Sequence, residues 1–236
     1  MGYDTLVDGQ KLGKKLTTIA EAIRFKGARD GEIEFKDFAT RIHALPEDEL
    51  DHLLRGVLIS YQNDKVTQLP MRIFEGQERL AWVSLPKVTI VGQRAFYGCT
   101  NLSSLSMPAV TSVGMSAFYN CKKLSRFVAK AAIESGITGF AFRGCSNLVR
   151  ADFTEIDKSR GILSGAFEGC EQLTALIIRN SDAPPKLITT AFNNTPIANG
   201  NGYIYVSDSL VETYKAATNW SAFAEQIKPL KELPAY

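Results

Sequence analysis

The sequence predicts an α/β solenoid: a coil of short parallel strands stacked through repeated corners, with a small α-helical head before it and a helical cap behind it. Three observations predict this. Phenylalanine recurs at Phe74, Phe96, Phe118, Phe142, Phe167 and Phe192, with spacings of 22, 22, 24, 25 and 25 residues. An apolar strand pattern follows each aromatic at a similar interval. Residues 1–48 and 206–236 show neither feature and instead carry helical spacing.

Bulk properties fit a folded chain without a strong field. Of 236 residues, 45% are apolar and 22% charged, and 27 basic against 25 acidic residues leave a net charge of +2. No Lys/Arg run accompanies that balance, so neither nucleic acid nor an anionic membrane is an expected partner. No stretch approaches the ~18 consecutive apolar residues of a membrane span, so no membrane insertion is expected. The start, MGYDTLVDGQ, lacks a basic patch followed by an apolar segment, which predicts synthesis and retention in the cytoplasm until another process releases the chain.

The head, residues 1–48, comes first. Leu12, Leu16, Ile19, Ala20 and Ile23 lie on one helical face ending near Gly27, and Phe35, Phe38, Ile42 and Leu45 form a second such face up to Pro46. Two short amphipathic helices make a poor core alone, and units below about 70 residues usually need a partner or self-association. The head therefore reads as an attachment or oligomerisation module.

The array, residues 49–205, follows. Its first unit, residues 53–76, shows strand-like alternation at Val57, Ile59 and Tyr61. The next strands take their inward residues from Leu80, Val83 and Leu85; Leu102, Leu105 and Met107; Leu124, Phe127 and Ala129; Leu148, Ala151 and Phe153; and Leu173, Leu176 and Ile178. A turn, often opened by proline (Pro86, Pro108, Pro184), leads to a second apolar pair such as Val88 with Val91 or Val110 with Val113. A period of 20 to 29 residues with this strand is the signature of a leucine-rich solenoid, in which stacking neighbours bury what one unit cannot.

Cysteine recurs three residues after the aromatic, at Cys99, Cys121, Cys145 and Cys170. A ladder of identical large rings fills a prism of constant section, and a small apolar thiol fits where the chain turns tightly through Gly98, Gly144 or Gly169. The alternatives are a metal site or disulfides. Spacings of 22, 24 and 25 are unlike paired C-x-x-C ligands, and Gln77 and Thr195 hold the same phase in the outer units.

The cap, residues 206–236, closes the chain. YIYV at 203–206 reads as the last strand; Ser209 and Glu212 have capping-box spacing, and Leu210, Tyr214 and Ala217 share a helical face. A second helical pattern, Trp220, Phe223 and Ile227, stops at Pro229. These pieces are expected to lie over the open end and shield the last strand.

Chemistry-bearing motifs are sparse. His43 and His52 have no triad or metal context, no G-x-x-x-x-G-K, G-x-S-x-G or H-E-x-x-H occurs, and carboxylates such as Asp152 and Glu155 are scattered. No enzyme activity, cofactor or metal is expected.

The segments AFYGCTNL, AFYNCKKL, AFRGCSNL and AFEGCEQL, with LPKVTIVG and MPAVTSVG, resemble the BspA-type leucine-rich repeats of bacterial and phage proteins over residues 53–205. The resemblance implies a parallel-strand solenoid that binds other macromolecules and brings no catalytic residues. LTTIAEAIRFKGARDGEIEFKDFATRIHAL, residues 16–45, is similar to the head of tail-associated structural proteins of phages and prophages of Gram-positive hosts. That second resemblance implies a virion component at the tail or tail tip, with residues 1–48 docking on other tail or baseplate proteins and a homotrimer as one possible assembly.

A ligand would meet the strand residues between the inward positions, which parallel strands present as a flat grid. These are Trp82 and Ser84, Ser104 and Ser106, Arg126 and Val128, Arg150 and Asp152, and Ala175 and Ile177, with Arg179 at the edge. Tryptophan with several arginines is hot-spot composition, although the same positions also read as plain solvated strand faces. The expected function is a non-enzymatic phage tail-associated protein that recognises a host-surface glycan or protein through the array. The alternatives are a bacterial surface adhesin of the same repeat type and a virion spacer that binds nothing.

Overall fold

A computed structural model describes residues 60–235. The predicted head, together with Val57, Ile59, His43 and His52, lies outside the described residues. Within them, parallel strands stack unit upon unit. One series of short strands, β1 (Ser60–Gln62), β3 (Trp82–Ser84) and β5 (Ser104–Ser106), forms a three-stranded parallel sheet. The next series, β7 (Arg126–Ile133), β8 (Arg150–Ile156), β9 (Ala175–Ile178), β10 (Tyr203–Val206) and β11 (Ile227–Pro229), forms a five-stranded parallel sheet in chain order. On the return side of the coil, β2 (Gln68–Leu69), β4 (Ile90–Val91) and β6 (Ser112–Val113) pair in parallel. Single bridges Val113–Ile137, Ile137–Ile162 and Ile162–Leu187 prolong that line through the later repeats.

The interior is the predicted prism. Each ladder phenylalanine is buried, and successive rings stack with centroids 5.1, 5.3, 5.2, 5.3 and 5.9 Å apart. The strand rows flank them, with Leu80, Val83, Leu85, Leu102, Leu124, Ala151, Phe153, Leu176 and Ile178 wholly enclosed. Leu105 alone of the predicted inward residues is only half-buried. The return side adds Val88, Val91, Val110, Val113, Ile137 and Ile162. Removing a large apolar side chain from water is worth about 1.5–3 kcal/mol, so no unit stands without the neighbour that covers it.

The Ala-Phe-x-x-Cys run follows from this packing. The Phe96 amide donates to the Ala117 carbonyl of the next unit at 2.7 Å, Phe118 to Ala141 at 2.8 Å, Phe142 to Ala166 at 2.8 Å and Phe167 to Ala191 at 2.9 Å. Backbones in hydrogen-bond contact leave room only for a methyl at the preceding position, and Ala95, Ala117, Ala141, Ala166 and Ala191 are all fully buried. Two residues after the aromatic the chain passes through the left-handed region, at Gly98 (φ 73°) and Gly144 (φ 72°), with Asn120 (φ 57°) taking the same turn. The thiols close the corner: Cys99, Cys121, Cys145 and Cys170 donate to the carbonyls of Phe74, Phe96, Phe118 and Phe142 at 3.0, 3.2, 3.0 and 3.1 Å.

The C-terminal segment departs from expectation. Its α-helix is the six-residue Val211–Ala216, flanked by 3-10 turns at Asp208–Leu210 and Ser221–Gln226. No side chain caps that helix, and Ser209 lies inside the preceding 3-10 turn, so the Ser209/Glu212 capping box does not form. The pattern Trp220, Phe223, Ile227 is not a helical face continuing to Pro229. Phe223 has non-helical backbone angles, and Ile227–Pro229 is a strand that pairs in parallel with β10. β10 is therefore not the last strand. Tyr214 and Trp220 are buried edge to face with ring centroids 5.0 Å apart, and the Trp220 indole N–H donates to the Pro185 carbonyl at 2.7 Å.

Candidate functional site

Parallel register sorts the outward strand residues into two rows. Ser60, Trp82 and Ser104 are partners on the first sheet, as are Gln62, Ser84 and Ser106. On the second sheet one row runs Arg126, Arg150, Ala175 and Tyr203, and the other Val128, Asp152, Ile177, Tyr205 and Lys228. β5 and β7 are neighbours without a shared backbone ladder, so no register pairs the outward residues of the first sheet with those of the second.

The grid is open at one end and covered at the other. Trp82 is 36% exposed, Ser104, Ser106 and Arg126 are exposed, and Ser84, Val128 and Arg150 are half-buried. Ile177, expected to contact ligand, is instead fully buried, and so is Ala175. With Tyr205 they form an apolar cluster, and Leu230 and Leu233 of the C-terminal tail pack onto it. An alanine and an isoleucine on an outward row signal a face that the chain itself covers. The tail, Leu230–Glu232 in a 3-10 turn, is held by the Lys231 amide donating to Asp208 at 3.2 Å.

Asp152 is the second correction. Its carboxylate is buried and accepts from Arg150 Nη2 at 2.9 Å and from Arg179 Nη2 and Nε at 3.0 and 3.2 Å. Engaged by two guanidiniums, it orients Arg150 and Arg179 and is not itself offered to a ligand. Arg126 stands beside Arg150 in register and makes no ion pair among the described residues. Arg150 and Arg179 thus share one carboxylate.

A further surface went unnoticed in the sequence. On the turn side Tyr97 and Tyr119 stack at 4.6 Å and 11°, with the Arg94 guanidinium 4.1 Å over the first ring and that of Arg143 5.8 Å from the second. Glu75 pairs with Arg94, and Glu168 with Arg143 at 3.1 Å. The run closes on itself, charge against charge and ring against ring, and its role is to stitch repeats together. Tyrosine in the same phase of two AFY repeats was the available signal.

Burial pushes the thiols of Cys99, Cys121 and Cys170 well above their ordinary range, and Cys145 is equally enclosed. All four are core groups without a disulfide. Among the described residues no cluster of His, Cys, Asp and Glu could hold a metal, and no helix is long and apolar enough to cross a membrane.

Comparison with known proteins adds the following. The family described as BspA type leucine rich repeat region matches residues 67–199, in six copies. Two solved structures are similar in part. One is a leucine-rich repeat protein from Bacteroides ovatus ATCC 8483, at 21% identity and a TM-score of 0.40, covering 66% of this chain and 41% of its own. The other is a leucine rich cell surface protein from Faecalibacterium prausnitzii A2-165, at 21% identity and a TM-score of 0.41, covering 71% of this chain and 35% of its own. The chain thus spans well under half the length of either. No curated protein matches it.

Proposed function

The chain belongs to the BspA type leucine-rich repeat family, and we propose that it is a non-enzymatic binding protein that meets a surface partner through the open part of its strand grid. The observation that carries this reading is the exposed run of Trp82, Ser104 and Ser106, aligned by the ladders of the first sheet, with exposed Arg126 on the neighbouring strand β7, while the chain's own tail covers the other end. A backbone already fixed in its ladders adds no ordering cost of its own on binding, and an indole has few rotamers to lose, which is what recognition without a pocket needs.

The finer part of the proposal places the protein on a phage tail, with residues 1–48 docking to tail or baseplate proteins and the array meeting a glycan or protein of the host surface. Its support is the similarity of residues 16–45 to heads of tail-associated proteins. The test is immunogold electron microscopy with antibody to this chain, on particles purified from a lysate and on intact producing cells in parallel. Label at a tail end is expected. Label on cells with none on particles overturns the virion assignment and makes the protein a surface adhesin.

A further inference from the structure

The near-neutral balance of the whole chain hides a local one. Residues 95–121 contain no Asp, Glu, Lys or Arg, and the chain then carries Lys122, Lys123 and Arg126 within five residues. The two lysines stand at the corner after Cys121, and Arg126 begins β7. All three side chains are exposed and make no ion pair among the described residues. Other cations of the array do find acids: Arg72 and Arg94 meet Glu75, Arg143 meets Glu168, and Lys158 meets Asp182.

The surroundings of the corner explain why these three do not. Its backbone is tied to both neighbours: the Lys123 amide donates to the Thr100 carbonyl and the Asn147 amide to the Lys122 carbonyl, each at 3.2 Å. The neighbouring corners therefore set Thr100 and Asn101 on one side of the lysines and Ser146 and Asn147 on the other, none of them charged. At this corner position acids return only one repeat further out, at Glu78 and Glu171. The first carboxylate along β8, Asp152, is already shared by Arg150 and Arg179. Like charges so close repel one another, and no contact within the chain offsets that cost.

We propose that Lys122, Lys123 and Arg126 bind the anionic groups of an acidic polysaccharide, whose hydroxyls meet the flanking corners at Thr100, Asn101, Ser146 and Asn147. This rests on the reading of the chain as a surface-binding protein and names the chemistry of its partner. An ammonium is a compact charge with three donors and takes an oxyanion from many directions, while a guanidinium takes it in bidentate fashion. Hydroxyl and amide side chains both donate and accept, as sugar hydroxyls do. The strip offers no ring for a nucleic-acid base to stack on and no apolar socket for the side chains of an acidic peptide.

The test uses the full chain on immobilised probes, each acidic polymer beside its neutral counterpart: polygalacturonate beside its methyl ester, and dextran sulfate beside dextran. Poly-L-glutamate and single-stranded DNA serve as other polyanions. Binding is expected on the acidic polysaccharides, falling as salt rises. A double variant, Lys122→Gln with Lys123→Gln, should weaken it roughly tenfold at an unchanged unfolding midpoint. Lys87→Gln with Lys186→Gln removes the same charge from exposed positions elsewhere and should leave binding as it was. Equal signal on the neutral polymers, equal or stronger signal on poly-L-glutamate or DNA, equal loss in the two double variants, or no binding at all overturns the proposal. Full-length protein that decorates host cells while ignoring every acidic polysaccharide defeats this site and leaves the binding reading standing; protein that does neither defeats both.

Discussion

Phe142 lies at the middle of the ring stack, 5.2 Å from Phe118 and 5.3 Å from Phe167, with Phe127 at 4.8 Å edge-on. Truncating it opens a cavity that neither neighbouring unit can close, because each is held by its own amide-to-alanine hydrogen bonds. Phe142→Ala should therefore lower stability by about 3–5 kcal/mol, read as a shift in urea midpoint. An unchanged midpoint would disprove the ladder as the mechanical axis. This was legible beforehand, since the interval between equal aromatics is itself the stacking instruction. The reach of the thiols to phenylalanine carbonyls was not, because hydrogen bonds between units depend on the pitch of the coil. Nor was the engagement of Asp152, which needs Arg150 from its own strand and Arg179 from beyond the end of β9. At the candidate site the sequence marked the outward positions by alternation but could not say which were covered.

Alternation gave the strands at their inward phase, and the valine pairs marked an apolar return side without fixing whether it was extended or helical; it is extended, as β4 and β6. Alternation failed where a segment's spacing suits two structures. Trp220, Phe223 and Ile227 fit a helix period, yet Ile227 pairs with Ile204 across a parallel ladder because the edge of β10 offers it backbone partners. The tail beyond it then folds over Ala175, Ile177 and Tyr205. Truncation after Pro229 keeps the added strand and strips this cover. The expected result is a gain in binding of a hydrophobic fluorescent dye and a loss of about 1–2 kcal/mol, the worth of two half-buried leucines. Dye binding unchanged from the full chain would mean that the tail shields nothing.

For the molecule as a whole, buried acids that stay protonated tie stability to pH. Burial pushes the Tyr61 hydroxyl up to about 12, against an ordinary value near 10, and burial with the nearby charge of Asp182 raises Tyr214 as well. The thiols of Cys99, Cys121 and Cys170 move the same way. The folded chain then keeps protons that the unfolded chain would release. This contribution is fully present below the unfolded thiol value of about 8.5 and is lost as pH climbs through about 12. A urea midpoint that falls steadily above pH ~9 is the expected outcome, and one that stays level through pH ~11 would contradict it.

The ring stack has a consequence for how such a chain can change over generations. From Phe74 to Phe167 the interior of every junction repeats, ring on ring at 5.1 to 5.3 Å and the aromatic's amide on the next alanine carbonyl, even where the strand ladder breaks between β5 and β7. A junction that does not distinguish its two sides lets unequal recombination insert or excise a whole turn of the coil and still find matching surfaces above and below. The grid would lengthen or shorten by one strand, about 4.8 Å, carrying a new pair of outward residues while both ends stay as they were. Reach and specificity could thus vary by counting units, with no interior to redesign.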